Sequence, residues 1–233
     1  WTDGITLGAF AVGLLTAATF VVVERRSAHP MLDLTLFRRP PFTALILAAL
    51  LTQAAAFAYL PFTTVWLQQI LGHGPVDAGL MGALPMSVAA LVVGAVAGSA
   101  LQRWNPRWTV GAGLLLVAAG DLLQSSVDAN SGGTALVPGL VVAGLGVGAV
   151  LPTLSSAIIA AVPTDRSGMA GGALNTARQL GFALGVAVFG TIFQHMVAGT
   201  AGGPHAAAAA GLDATLRVAA AVAAAGGVLA LIL

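Results

Sequence analysis

Apolar residues in this chain neither alternate nor keep to one face; they come in unbroken runs separated by short polar stretches. Ile5 to Val23 is the plainest case, about the length one helix needs to cross a ~30 Å hydrocarbon core. Glu24, Arg25 and Arg26 end it. Six more runs follow: Phe42 to Leu71, Val76 to Leu101, Trp108 to Val127, Ala135 to Val162, Met169 to about Val197, and the Ala-rich Asp213 to Leu233. The pattern predicts an all-α membrane protein with seven transmembrane helices. The second run is longer than one crossing requires, so a tilt or a kink at Pro61 is expected. The third holds Pro85 and a Gly94-xxx-Gly98 pair that would let a neighbouring helix approach closely. The fifth places glycines at 139, 144, 146 and 148 and then Pro152, which predicts tight backbone packing and a bend.

The polar stretches carry an orientation signal. Between the first two runs lie His29-Pro30, a small amphipathic patch from Met31 to Phe37, and Arg38-Arg39-Pro40-Pro41, which together read as an interfacial linker held at a membrane surface. Loop arginines at 25, 26, 38, 39, 103, 107 and 166 alternate onto one side. The opposite loops, Gly72 to Asp77, Asp128 to Thr134 and the Gly/Ala stretch with Pro204 and His205, hold none. Basic loops stay inside, so those with Arg25, Arg38, Arg103 and Arg166 are expected in the cytoplasm, with the protein in the cell membrane.

Composition agrees with this picture and narrows the function. The 233 residues are 58% hydrophobic and 7% charged, far from the roughly 25% charged residues of soluble domains. A net charge of +1 argues against nucleic acid as a partner. There is no Cys and no Lys; all nine basic residues are Arg. The chain begins at Trp1 without Met and stops at Leu233 inside an apolar run, so a piece of a longer protein is expected. The first run has no basic leader and is not expected to be a signal peptide. His29, His73, His195 and His205 are too dispersed for a metal site, and no cofactor is expected. Gly144 to Ala149 imitates a dinucleotide fingerprint but sits inside a membrane-length run instead of at a strand-to-helix turn. Trp1, Trp66, Trp104 and Trp108 are expected as interface anchors.

Polar groups inside the runs are the candidates for chemistry, because each costs free energy in hydrocarbon unless it faces protein or water. Gln53, Phe57, Pro61, Thr64 and Gln68 share one side of the second run at helical spacing. Asn175, Arg178, Gln179 and Phe182 do the same on the sixth, at i, i+3, i+4 and i+7. A cavity-facing Arg178 competes with one that snorkels to the surface. Gln53 and Gln68 are equally suited to contacting a substrate or to bonding between helices. Asp121 is an acid well inside an apolar run; its role is either proton coupling or that of an interfacial or ion-paired structural Asp. Asp213 and Arg217 are expected to pair at i, i+4.

Five segments carry a resemblance: HPMLDLTLFRRPPF, GSALQRWNPRW, GLGVGAVLPTLSSAI, VPTDRSGMAGG and NTARQLGFALG. Together they resemble the major facilitator superfamily and, within it, the fourteen-span drug/proton antiporters. The resemblance implies one extra span with its linker at residues 1–41 and a complete carboxy-terminal six-helix bundle at 42–233. It also implies a partner bundle preceding the chain, and alternating access about a site near the bilayer midplane. The second, third, fifth and sixth spans would line the cavity. The family's conformational loop would fall on Gly98, Arg103 and Arg107, with Gln102 at the usual acidic position and Asn105 where a second Gly is usual. The function so implied is export of hydrophobic or cationic small molecules in exchange for protons. Rival readings are a symporter or facilitator for one metabolite and, further off, a membrane enzyme, for which no H-E-x-x-H or G-x-S-x-G is present.

Overall fold

Residues 4–27, 33–101, 103–128 and 130–232 are described by a computed structural model. Trp1, His29, Pro30, Met31, Gln102 and Leu233 lie outside them. The elements are helices: α1 (Gly4–Arg26), α2 (Pro40–Phe57), α3 (Leu60–Val65), α4 (Pro75–Gly82), α5 (Leu84–Val96), α6 (Gly98–Leu101), α7 (Pro106–Gln124), α8 (Val137–Ala160), α9 (Ser167–Gly199) and α10 (Pro204–Ile232). A π-helical turn, Trp66–Ile70, continues α3, and a 3₁₀ turn, Leu34–Arg38, precedes α2. Proline stands in the first turn of α2, α3, α4, α5, α7 and α8, where its missing N–H costs nothing and its fixed φ starts the helix.

Among the described residues, five helical stretches are long and apolar enough to cross a membrane, and six if the bent pair α4 and α5, 42° apart, is one span. The remaining predicted span is α7, a 19-residue helix whose Arg107, Asp121 and Gln124 hold its apolarity down. The last span begins earlier than expected. Pro204 and His205 belong to α10 and not to a loop, because a first-turn proline followed by five alanines is strongly helix-forming.

Helices α2 and α7 to α10 form one packed bundle, with α5 against the outer side of α8. Glycine sets the spacing. A Cβ at Gly120 of α7 would lie 2.5 Å from Ala143 N and 2.6 Å from Gly139 O of α8, so the two backbones nearly touch. One at Gly148 would lie 2.5 Å from Ala90 O of α5. The expected pair in the third span behaves differently: Gly94 and Gly98 face open space within this chain.

One end of the bundle is closed by Leu36, Phe42, Val110, Leu114, Leu154, Ile158 and Leu174. The other is closed around Tyr59, Trp66, Leu67, Val117, Leu140, Phe189 and Leu212. Trp66 is therefore buried and is not an interface anchor, whereas Trp104 and Trp108 are exposed. Helix α1 stands apart: Ile5, Leu7, Phe10, Leu14 and Leu15 are all exposed. Within its apolar window nothing is buried, as for a helix solvated by lipid or by protein outside this chain.

Candidate functional site

Of the two polar faces read from the sequence, Gln53 and Arg178 meet between α2 and α9, while the rest of the α9 face points away from α2. A Cβ at Gly185 would lie 2.5 Å from Ala58 Cβ, and Gly181 sits directly on the Leu50 carbonyl. At that closeness Arg178 Nε reaches across and donates to Gln53 Oε1 at 3.4 Å. Ala170, Ala173, Leu174, Ala177, Gly181 and Gly185 form the buried stripe of α9. Asn175, Gln179 and Phe182 lie on the opposite, exposed face, with half-buried Arg178 at its edge. On the other helix Gln53 and Phe57 are half-buried and Thr64 is exposed, its hydroxyl donating back to Leu60 O at 3.0 Å. Gln68 is half-buried in the π turn. Phe62 stacks on Phe193 with centroids 5.3 Å apart, extending the α2/α3–α9 seam with aromatic surface.

A second polar group lies deeper. Asp121 is fully buried, and the Tyr59 hydroxyl faces its carboxylate without closing an ordinary hydrogen-bond geometry. Beside it is the hydroxyl of Tyr59, the single tyrosine of the chain. Gln124 Nε2 donates to that hydroxyl at 3.2 Å and to Gly120 O at 3.3 Å, which leaves Gln124 Oε1 without a partner. Gly139 makes room for the amide, since a Cβ there would meet Gln124 Cγ at 2.5 Å. Tyr59 sits at the break between α2 and α3, where Pro61 has no N–H to offer the carbonyl four residues back. Sequence reasoning singled out Asp121 and missed its neighbours. The signals were an Asp-x-x-Gln pair at i, i+3 on one helix and a lone Tyr two residues before a proline.

At the arginine-bearing end, Asn105 caps α7 by accepting from Arg107 N at 3.2 Å. The Arg107 guanidinium donates to Leu231 O at 2.5 Å and lies 5.3 Å from the Trp108 ring centroid. Arg103 is exposed and Gly98 opens the single turn of α6. The linker is fastened to the bundle: Asp33 pairs with Arg166 of the α8–α9 turn, Asp33 N contacts Met169 Sδ at 3.1 Å, and Leu36 is buried. The hydroxyl and N–H of Thr35, followed by Arg166, hold the Asp33 carboxyl below its ordinary pKa. At the other end Asp213 and Arg217 of α10 pair at 2.7 Å.

Comparison with known proteins bears on what this arrangement serves. A family model for the Major Facilitator Superfamily matches residues 2–186. The multidrug efflux pump LfrA of Mycolicibacterium smegmatis is 38% identical over 194 residues, covering 82% of this chain and 38% of that protein. The multidrug resistance protein Stp of Mycobacterium tuberculosis is 34% identical over 200 residues, covering 86% and 37%. The tetracenomycin C resistance and export protein of Streptomyces glaucescens is 32% identical over 197 residues, covering 84% and 36%. The chain thus spans little more than a third of the length of these relatives.

Proposed function

The chain belongs to the Major Facilitator Superfamily, and from that premise we propose that it supplies the carboxy-terminal part of a transporter exporting hydrophobic or cationic small molecules in exchange for protons. The superfamily is one of transporters, not enzymes, and the protein is a multi-pass membrane protein. The observation that carries the reading is that relatives named for multidrug efflux or antibiotic export align over more than four-fifths of the chain. Residues 1–41 act as an extra span with its linker, and 42–233 as the six-helix bundle of one half-transporter in the cell membrane. The loops with Arg25, Arg38, Arg103 and Arg166 face the cytoplasm.

The open face of α2 and α9 suits the pocket such an exporter needs. Gln53, Phe57, Thr64 and Gln68 on one side and Asn175, Arg178, Gln179 and Phe182 on the other present amides and aromatic rings with one fixed cation. An apolar wall with a few convergent polar groups holds diverse small molecules without demanding one shape. The remaining wall belongs to the amino-terminal bundle, and rocking of the two opens the pocket to alternate sides. Gly98, Arg103 and Arg107 form the loop at which that motion is checked.

The test is efflux from cells lacking their own pumps that express the complete gene. Cationic dye should leave energised cells, and a protonophore should stop it. Absence of dye export, with gradient-driven uptake of a metabolite instead, would replace the exporter by a symporter.

A further inference from the structure

We propose that Asp121, Tyr59 and Gln124 form an occluded binding site for one positive charge, a proton or a sodium ion, whose occupancy sets the geometry of the α2–α3 break. The inference rests on the exporter reading for its purpose, and on the side chains alone for its chemistry.

A fully buried carboxylate faced by the Tyr59 hydroxyl and by no cation is expensive while it stays charged, so a positive charge is favoured there. The helices packed against this one do not supply it. Helices α2, α5 and α8 carry no Arg, Lys or His. On α10, His205 is exposed and Arg217 is engaged by Asp213 on an exposed face. On α9, His195 is exposed and half-buried Arg178 bonds to Gln53. Tyr59 is the titratable group that α2 and α3 present to Asp121. The compensating charge therefore comes from solution.

The groups gathered there suit a small hard cation. They are the two carboxylate oxygens of Asp121, Gln124 Oε1 and the Tyr59 hydroxyl. The Thr63 hydroxyl, one turn beyond Tyr59, is likewise buried without a partner. Oxygen-only donors favour protons and alkali or alkaline-earth ions over transition metals. A single carboxylate balances one charge, not two. In the proton case one Asp121 oxygen gains the O–H bond; in the sodium case the ion is shared among the oxygens.

The position of the site gives occupancy a mechanical consequence. Ala58 and Tyr59 separate α2 from α3, and the pairing carbonyls shift there: Phe62 N and Thr63 N both turn to Tyr59 O. Gln53 and Phe57 lie before this joint, and Thr64 and Gln68 lie after it. A change of charge beside the Tyr59 hydroxyl therefore acts on the hinge between the two halves of the polar face. Asp121 and Gln124 act through Tyr59 and do not touch the substrate.

The experiment uses the purified full-length parent in lipid nanodiscs. Melting temperature and tryptophan fluorescence are followed in two arms, a pH titration without sodium and a sodium titration at alkaline pH against choline. The expected result is a saturable rise in melting temperature in at least one arm, with a fluorescence change that Trp66→Phe removes, since Trp66 is buried just beyond the joint. The arm that responds identifies the ion. Asp121→Asn should abolish both signals. Gln124→Leu, which keeps the acid, should move the half-saturating concentration about tenfold; it serves in place of Asp121→Asn should that variant not fold. No saturable response in the wild type, or the same response in Asp121→Asn, overturns the site. Dye efflux from cells expressing the same variants separates the two readings. Export without an Asp121-dependent response leaves the exporter and removes the site. The response without export does the reverse.

Discussion

Arg178 and Asp121 are the same kind of expense, an ionisable group carried inside a membrane helix, and the protein meets it in opposite ways. Arg178 sits at the edge of an open face with a neutral amide as its partner. Asp121 is sealed behind glycine-spaced helices with the Tyr59 hydroxyl beside it and no cation. The open side of the bundle therefore mixes exposed Asn175 and Gln179 with exposed Leu180 and Leu184 around one half-buried cation. The sealed side is rigid, and polar groups there must be satisfied by something small.

The contrast is broken most directly by packing. Gly120→Leu places a side chain against Ala143 N and Gly139 O, backbone atoms that cannot rotate away. We expect a loss of about 3 kcal/mol or more, seen as failure to obtain monodisperse protein. Gly171→Leu, at a position where a Cβ meets nothing within 4 Å, should leave the yield unchanged. Normal folding of the Gly120 variant would show that the sealed side is looser than its geometry implies.

Next in size is Arg178 itself. Arg178→Ala removes a partly exposed, long hydrogen bond, so stability should fall by less than about 1 kcal/mol. Dye export by the full-length parent should fall about tenfold, since one fixed charge on the open face is worth roughly that much. Arg178→Lys keeps the charge without the planar fork and should recover part of it. If the Ala variant instead fails to fold, Arg178 is structural and the contrast with Asp121 disappears.

How far these differences could be read in advance depends on which contacts are local. The apolar runs and the glycines at 139, 144, 146 and 148 announce spans and close packing, because length and the absence of side chains are visible residue by residue. Pro61 signals the break in the second run, which falls two residues earlier, at Ala58–Tyr59. Gln53 and Arg178 were each singled out, but their meeting rests on Gly181 and Gly185 bringing two helices together across 125 positions. Trp66 looks like an interface anchor until it packs into the core with Tyr59, Leu67 and, far off in the sequence, Leu212. Gly94 and Gly98 fit a close-approach motif that finds no neighbour within this chain. The Tyr59–Gln124 pair joins residues 65 apart, and nothing in either neighbourhood announces the other.

A smaller effect comes from the end of the bundle that neither group occupies. The pKa of Asp33 is lower in the folded protein than in the unfolded chain, so its pairing contributes stability above the unfolded value of about 3.9. That contribution is lost as pH falls through the folded value. The protection of the Leu34–Arg38 amides against hydrogen exchange, taken relative to the intrinsic rate at each pH, should therefore fall only in acid, at pH below about 4. Asp33→Asn should show the same loss of protection at neutral pH. If it does not, burial of Leu36 alone docks the linker.

The smallest change is also the one that sharpens the comparison furthest. Gly172 is in the first turns of α9, on its exposed side, and a Cβ there meets nothing within 4 Å. In a helix that opens only onto lipid or water, Gly172→Ala stabilises by roughly 0.5–1 kcal/mol, because glycine loses more backbone entropy on folding. We expect that gain in this segment expressed alone, read as a rise in melting temperature. In the full-length protein the amino-terminal bundle would pack against the open side. There the same methyl should give less gain, or a loss, if glycine is kept at that position for close approach. Equal gains in both would mean that nothing covers this part of α9, and the open side would then be a lipid face and not one wall of a passage.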